Sequence, residues 1–311
     1  MEQTKQEKID NLQPKSNRNG LIELYRFLFA MWVVWYHGFF LFQNEYFDRG
    51  YIAVEFFFIL SGFYILKTID KYKDEKFFAG LGKLLWGRIK SLGLAFVIGV
   101  IFAVWFMVID KKITKLGFLW YIPYMLLAFI VVYTLKRLIR QKWVFLFVML
   151  GIAVVCYLLQ YIPIYPGHEI IRSLEGVSLG VVFSLVPKVH FRVKRFDFNW
   201  IIALSLFGLT IYLAYLPKSN SISECLLVGI IMPLLVYFTD TLEINCTALS
   251  FLGSLSFGLY AYQCVLRVLI CYISLERYWL FLILIALVFL DKIFMFAFKK
   301  YKNKKCAAHA A

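Results

Sequence analysis

Long apolar runs separated by short charged segments recur along the whole chain. Each run is about 20 residues long, which as an α-helix is enough to cross the roughly 30 Å hydrocarbon core of a bilayer. Ten such runs lie at approximately 21–43, 50–66, 90–109, 117–135, 143–161, 170–187, 199–216, 224–239, 248–273 and 278–298. The pattern predicts an all-α, polytopic membrane bundle of about ten transmembrane helices. We expect one transmembrane domain, 21–298, between an N-terminal segment, 1–20, and a basic tail, 299–311.

Composition supports a membrane protein rather than a soluble one. Hydrophobic residues make up 62% of the 311 residues, charged residues 17%, and the mean hydropathy is +0.73, which is too apolar for a soluble globular domain. The six cysteines form no CxxC pair and no Cys/His ligand spacing. We therefore expect no disulfide framework and no metal site.

The basic residues predict the orientation of the bundle. If the N-terminus is inside, the inner segments contain 24 Lys and Arg residues and the outer loops contain six. Cytoplasmic segments carry such an excess, so both termini are predicted to be cytoplasmic. The net charge of +15 then reflects membrane topology, and nucleic-acid binding is a poor explanation of it. The first run is too long for a signal-peptide core and is expected to stay as a signal anchor.

Two polar residues in the first run, Arg26 and His37, are expensive to place in hydrocarbon. They are eleven positions apart, and eleven helical steps come within about 20° of three full turns. Both side chains therefore share one helix face, about 16 Å apart along the axis. Ionisable residues within a span are functional candidates, and they face a bundle interior or a wet cavity.

A carboxylate, Glu55, lies a few residues into the second run and should reach nearly the same depth as His37. It could fix the imidazole tautomer and increase its basicity, as the acid of a catalytic pair does. The alternative is a His–Glu pair that only joins two helices. The following Ser61 and Gly62 favour close helix packing.

Basic residues at the predicted inner mouth of the third run, namely Lys83, Arg88 and Lys90, are suited to an anionic cytosolic donor, although positive-inside anchoring predicts the same residues. At the predicted outer face, Arg172 and Glu175 are three apart and can pair on one helix face. Arg172 can therefore either bind an acceptor or only cap the outer end of the helix bundle.

Several segments resemble the successive motifs of the acyltransferase-3 family of membrane-bound O-acyltransferases. The resemblance runs in order along nearly the whole chain. It is most specific in the Arg/His pair and the aromatic run after Glu55. The matching segments are Arg26 with His37, Gly50-Tyr-Ile-Ala-Val-Glu-Phe-Phe-Phe-Ile-Leu-Ser-Gly-Phe, Leu119-Trp-Tyr-Ile-Pro, Arg172-Ser-Leu-Glu-Gly-Val-Ser-Leu-Gly and Leu255-Ser-Phe-Gly-Leu-Tyr.

The resemblance implies transfer of an acyl group, usually acetyl from cytosolic acetyl-CoA, to a hydroxyl of an extracytoplasmic or lipid-linked glycan. By motif, His37 is the catalytic histidine, Arg26 its companion and Arg88 a basic donor-binding position. Glu55 stands where the family more often has Asp. Acetyl-CoA would be a donor substrate, not a bound cofactor, and the location would be the bacterial plasma membrane.

Three departures from the family pattern matter. Ser91 stands where a second basic residue is common, Gln263 where many members have His, and no hydrolase domain of the SGNH type is appended. The chain would thus work alone, as a homodimer, or with a separate polysaccharide-assembly partner. The sequence leaves the oxyanion donors open among Ser61, Trp120 and Tyr260.

Two other functions are compatible with an apolar bundle that contains interior charges. A transporter or flippase for a polysaccharide or lipid-linked sugar would suit ten spans, but the sequence shows no internal repeat or pair of matching interrupted helices. A non-catalytic scaffold would leave the burial of His37 and Glu55 unexplained.

Overall fold

The computed structural model describes residues 19–37, 49–110, 117–160, 168–193, 196–215, 221–242, 244–263, 265 and 277–309. Most of these residues are helical. The helices are α1 (Gly20–His37), α2 (Ala53–Lys71), α3 (Phe77–Asp110), α4 (Tyr121–Leu138), α5 (Lys142–Gln160), α6 (His168–Leu185), α7 (Asn199–Tyr215), α8 (Ser221–Leu226), α9 (Met232–Asp240), α10 (Thr247–Ala261) and α11 (Arg277–His309). Short 3₁₀ turns, Gly50–Ile52 and Gly117–Trp120, lead into α2 and α4, and a π turn, Leu227–Ile231, joins α8 to α9. Strands β1 (Arg192–Val193) and β2 (Phe196–Asp197) form one antiparallel pair.

The predicted all-α bundle is confirmed at this level, since the described residues of each of the ten apolar runs are mainly helical. Within the described part of the chain, five helical segments are long and apolar enough to cross a membrane. They are Gly50–Lys71, Phe77–Trp105, Tyr121–Leu138, Lys142–Gln160 and Ile222–Asp240. Ten spans and cytoplasmic termini remain predictions.

Two helices extend beyond the predicted runs. The helix α3 begins at Phe77 rather than near residue 90, so most of the charged stretch expected to be a loop is helical. The last helix, α11, continues to His309 through most of the predicted tail, 299–311. Lys and Ala are good helix formers, so a charged segment continues a helix once packing has started it. The predicted N-terminal segment, 1–20, lies outside the described residues except for its last two.

The central helix is α2, most of whose side chains are buried. It packs on α6 through glycines, because a Cβ at Gly62 would come within 2.1 Å of the Val177 carbonyl oxygen. A Cβ at Gly180 would likewise come within 2.0 Å of the Ile59 carbonyl oxygen. Glycines of this kind let two membrane helices approach backbone to backbone. The sequence reading of Gly62 as a packing residue therefore agrees with the structure.

The residue before α1 ties this helix to the end of α9. Asn19 caps α1, because its Oδ1 accepts a hydrogen bond from the Leu21 amide at 3.0 Å. The Asn19 amide group also donates to the Thr239 carbonyl at the end of α9, at 2.7 Å.

The helix formed by α8 and α9 contains a π turn, Leu227–Ile231, which ends two residues before Pro233. Pro233 has no N–H to donate to the carbonyl four residues earlier.

Candidate functional site

A buried ion pair joins α2 to α6. Glu55 Oε1 accepts a hydrogen bond from Arg172 Nε at 2.5 Å, and the Glu55 side chain is 5% exposed. Arg172 also donates from Nη2 to the Tyr51 carbonyl at 3.1 Å. Its guanidinium group lies over the Trp120 ring, 5.2 Å from the ring centroid. The sequence singled out Glu55, Arg172 and Trp120 separately, and the structure brings all three together.

The second carboxylate oxygen of Glu55, Oε2, is buried and has no hydrogen-bond partner among the described residues. Gly176 packs closely beside it, since a Cβ there would lie 3.6 Å from Oε2 and 2.7 Å from the Phe58 Cβ. A buried carboxylate oxygen without a donor costs free energy. Arg172 thus holds Oε1 of Glu55, and Oε2 can accept a hydrogen bond from a further donor.

The histidine expected to meet Glu55 lies at the end of α1, and its side chain lies outside the described part of the structure. The preceding residue, Tyr36, packs on the residues that open α2. A Cβ at Gly50 would come within 2.0 Å of the Tyr36 Cβ, and the Tyr36 and Tyr51 rings are 6.1 Å apart. The last turn of α1 therefore reaches the same end of the bundle as the start of α2. The similar depth of His37 and Glu55 stays a prediction.

The ion pair with Glu175 that the spacing permits for Arg172 does not form. Arg172 pairs with Glu55, while Glu175, which is 3% exposed, accepts a hydrogen bond from Gln160 Nε2 on α5. The i,i+3 spacing permits a local pair, but it carries no information about a carboxylate on a neighbouring helix. Arg172 therefore joins α6 to α2 rather than stabilising its own helix.

Sequence reasoning missed two polar contacts beside this pair. Tyr51 donates a hydrogen bond from its hydroxyl to Glu224 Oε2 at 3.1 Å. Arg49, only 1% exposed, donates to Ser223 Oγ at 2.6 Å. Glu224 in turn interacts electrostatically with Arg172. A glutamate within the apolar run 224–239 was the one signal in the sequence that could have pointed to this contact.

These residues form what we call the Glu55 cluster, which consists of Arg49, Tyr51, Glu55, Arg172, Glu175 and Glu224. Two arginines and three glutamates give it a formal charge of −1 when all are ionised. Such a charge favours a cation placed beside it. The described residues include no group of three His, Cys, Asp or Glu side chains that could hold a metal ion.

Toward the other end of the bundle, two arginines from distant motifs are near enough to interact electrostatically. Arg26 on α1 pairs with Glu23 at 2.8 Å. Arg88 on α3 donates from Nη2 to Thr68 Oγ1 at 3.3 Å and lies over the Phe129 ring. Arg26 and Arg88 interact electrostatically, and the Arg88 Nε is buried without a hydrogen-bond partner among the described residues. With Glu23 included, the three ionised side chains carry a net charge of +1, which favours an anion beside Arg88.

The other predicted donor-binding residues lie on a different side of α3. Lys83 is exposed and pairs with Glu75, and Lys90 is also exposed. At 100° per residue both lysines are about 140–160° from Arg88 around the helix. The structure therefore sets Arg88 within electrostatic range of Arg26 and on a different side of α3 from Lys83 and Lys90.

Aromatic side chains connect the two polar regions. Tyr260 on α10 makes an edge contact with Tyr121, with ring centroids 4.6 Å apart, and both are buried. Tyr121 interacts electrostatically with Arg26, and its chain neighbour Trp120 carries Arg172 over its ring. Ser61 is half-buried on α2, directly before Gly62.

Comparisons with known proteins identify no protein similar to this chain. Searches against protein-family models, curated proteins and solved structures each found no match.

Proposed function

We propose that this protein is a membrane O-acyltransferase that transfers an acyl group, most simply acetyl, from acyl-CoA to a glycan hydroxyl. The observation that carries the proposal is the geometry of Glu55. It is a buried carboxylate, fixed by Arg172 through one oxygen and open at the other, at the end of the bundle where α1 ends at His37. A fixed carboxylate beside a histidine is the arrangement that orients an imidazole as a general base.

In the proposed reaction His37 takes the proton from the acceptor hydroxyl as its oxygen attacks the thioester carbonyl. The C–S bond then breaks, the ester is formed, and the thiolate of CoA takes the proton from the imidazolium. The formal charge of −1 on the Glu55 cluster stabilises that imidazolium. Trp120 and Tyr260 are candidate donors to the oxyanion. A direct acyl-histidine route is the less economical alternative.

The arginine pair Arg26 and Arg88 is the proposed anchor for the acyl-CoA donor. Phosphates of CoA are too charged to enter hydrocarbon, whereas the pantetheine arm is slim enough to pass between helices. Guanidinium groups bind phosphate oxygens through two parallel hydrogen bonds. Tyr121 interacts electrostatically with Arg26, and its chain neighbour Trp120 contacts Arg172, so these aromatic residues link the arginine pair to the Glu55 cluster.

The proposal includes the topology and the partners. Ten spans with cytoplasmic termini would set the arginine pair nearer the cytosolic donor and the Glu55 cluster nearer the extracytoplasmic face. The acceptor would be a cell-surface or lipid-linked glycan in a bacterial plasma membrane.

The test is mass spectrometry of surface glycans from cells with and without this chain. We expect ester-linked acyl groups that require both the chain and His37. If glycan acylation is unchanged while the amount of exported glycan falls, the protein is a transporter and the proposal is wrong.

A further inference from the structure

The helix α3 is too long to be a single transmembrane helix perpendicular to the membrane. Its 34 residues span about 51 Å, against a hydrocarbon core of about 30 Å. Gly93 interrupts it with φ 66° and ψ −152°, a conformation that is essentially restricted to glycine. The interruption divides α3 into residues 77–92, about 24 Å long, and 94–110, about 26 Å long.

The first half of α3 has one side against the protein. Leu84 is 1% exposed, and Gly80 lies under the Tyr133 hydroxyl, where a Cβ would come within 2.4 Å of the oxygen. The Tyr133 hydroxyl also donates to the Phe77 carbonyl at 3.1 Å. This side fixes the rotation of residues 77–92 about their own axis.

The outer side combines apolar and cationic residues in separate sectors. Phe78 is 83% exposed and Trp86 65% exposed, and they lie within about 80° of each other around the helix. Lys83 and Lys90 follow about 40–60° beyond Trp86 and are also exposed. An apolar sector bordered by lysines is the pattern of a helix that lies in a membrane interface.

We propose that residues 77–92 lie along the membrane surface, at the end of the bundle that contains the basic segment 67–90, and bind anionic lipid headgroups. Phe78 and Trp86 would enter the boundary between headgroups and acyl chains, where Trp is enriched. Lys83 and Lys90 would contact the headgroup phosphates. Gly93 then turns the chain into the membrane, so that residues 94–110 form the crossing part.

Charge complementarity supports an anionic membrane surface as the partner. The segment 67–90 contains seven basic and three acidic residues. Arg137 at the end of α4 donates to the Lys73 and Glu75 carbonyls, which places the cationic end of α4 beside the loop before α3. A soluble anion would not account for the exposure of Phe78 and Trp86, whereas a lipid surface accounts for both the aromatic and the cationic residues. This inference does not depend on the proposed enzymatic activity.

The position of Trp86 gives a direct test. The purified protein is placed in nanodiscs whose lipids carry bromine either near the headgroup or near the bilayer centre. The signal of Trp86 is the fluorescence difference between the unmodified protein and Trp86→Phe. We expect stronger quenching by the shallow bromines, and stronger quenching in discs that contain phosphatidylglycerol than in phosphatidylcholine alone.

A charge variant tests the headgroup contact. The double variant Lys83→Gln/Lys90→Gln should lose the dependence on phosphatidylglycerol and keep its melting temperature. Arg192→Gln, which removes an exposed cation from the β1–β2 hairpin, is the matched control and should keep the dependence. Equal or stronger quenching by deep bromines would overturn the proposal. It would also fail if the double variant kept the dependence, or if that variant lost acetyl-CoA binding without any change in quenching.

Discussion

Replacing Gly62 by alanine should force α2 and α6 apart and separate the two charges of the Glu55–Arg172 pair. The added Cβ would lie 2.1 Å from the Val177 carbonyl oxygen, whereas a carbon and a carbonyl oxygen in contact are about 3.3 Å apart. The helices must therefore move by about 1.2 Å. The neighbour is backbone, so no side-chain rotation can relieve the overlap.

A displacement of this size lowers the stability of the fold and changes the geometry of the Glu55–Arg172 pair. Overpacking of this kind costs about 1–3 kcal/mol. If the shift reaches the level of Glu55, the distance from Arg172 Nε to Glu55 Oε1 rises from 2.5 Å to about 3.7 Å. That distance is beyond the range of a hydrogen bond, so Glu55 would lose its fixed orientation.

The assay compares thermal unfolding in detergent with acyl transfer in membranes. Gly62→Ala should lower the melting temperature and reduce transfer. Gly151→Ala is the matched control because a Cβ at that α5 position meets nothing within 4 Å, and it should be neutral or slightly stabilising. If Gly62→Ala behaves like Gly151→Ala in both measurements, the close packing of α2 on α6 does not support the site as we argue.

Three further predictions concern single charges. Arg172→Gln should destabilise the protein by about 3–5 kcal/mol because it leaves Glu55 buried and unpaired. The double variant Glu55→Gln/Arg172→Gln should lose less stability. If the two single losses simply add in a double-mutant cycle, the two residues are not coupled. Arg88→Ala should raise the KM for acetyl-CoA about 10- to 150-fold with a similar kcat, which corresponds to a lost contact of about 1.5–3 kcal/mol. An unchanged KM would show that Arg88 is not part of the donor site. Lys83→Ala should change stability by no more than about 1 kcal/mol because its pair with Glu75 is exposed; a larger loss on chemical unfolding would show that the pair is structural.

Hydrophobic patterning was sufficient to locate most of the described helices. The predicted runs 143–161 and 199–216 match Lys142–Gln160 and Asn199–Tyr215 within one residue, because continuous apolar sequence has few alternatives in a membrane. The start of α3 was missed because lysines between residues 76 and 90 indicated a loop, although lysine favours helix. A hydropathy pattern also cannot show that Gly93 divides one helix into two.

The candidate site was predictable only in part. The burial cost of Glu55 identified it from sequence, since a carboxylate in an apolar run requires a partner. Its partner, Arg172, is 117 residues away, and local spacing indicated Glu175 instead. Tyr51 and Glu224 were missed for the same reason, because a contact between distant helices leaves no periodic signal in either segment.

The most direct test of the central claim follows a labelled acetyl group from acetyl-CoA through the purified protein in nanodiscs supplied with membrane glycans. We predict that the unmodified protein transfers the label to glycan. His37→Ala should transfer none yet bind acetyl-CoA with nearly the same affinity by calorimetry, because the base acts only in the transition state. Absence of acetyl-CoA binding by the unmodified protein, or equal transfer by His37→Ala, would contradict the assignment of this protein as an acyltransferase.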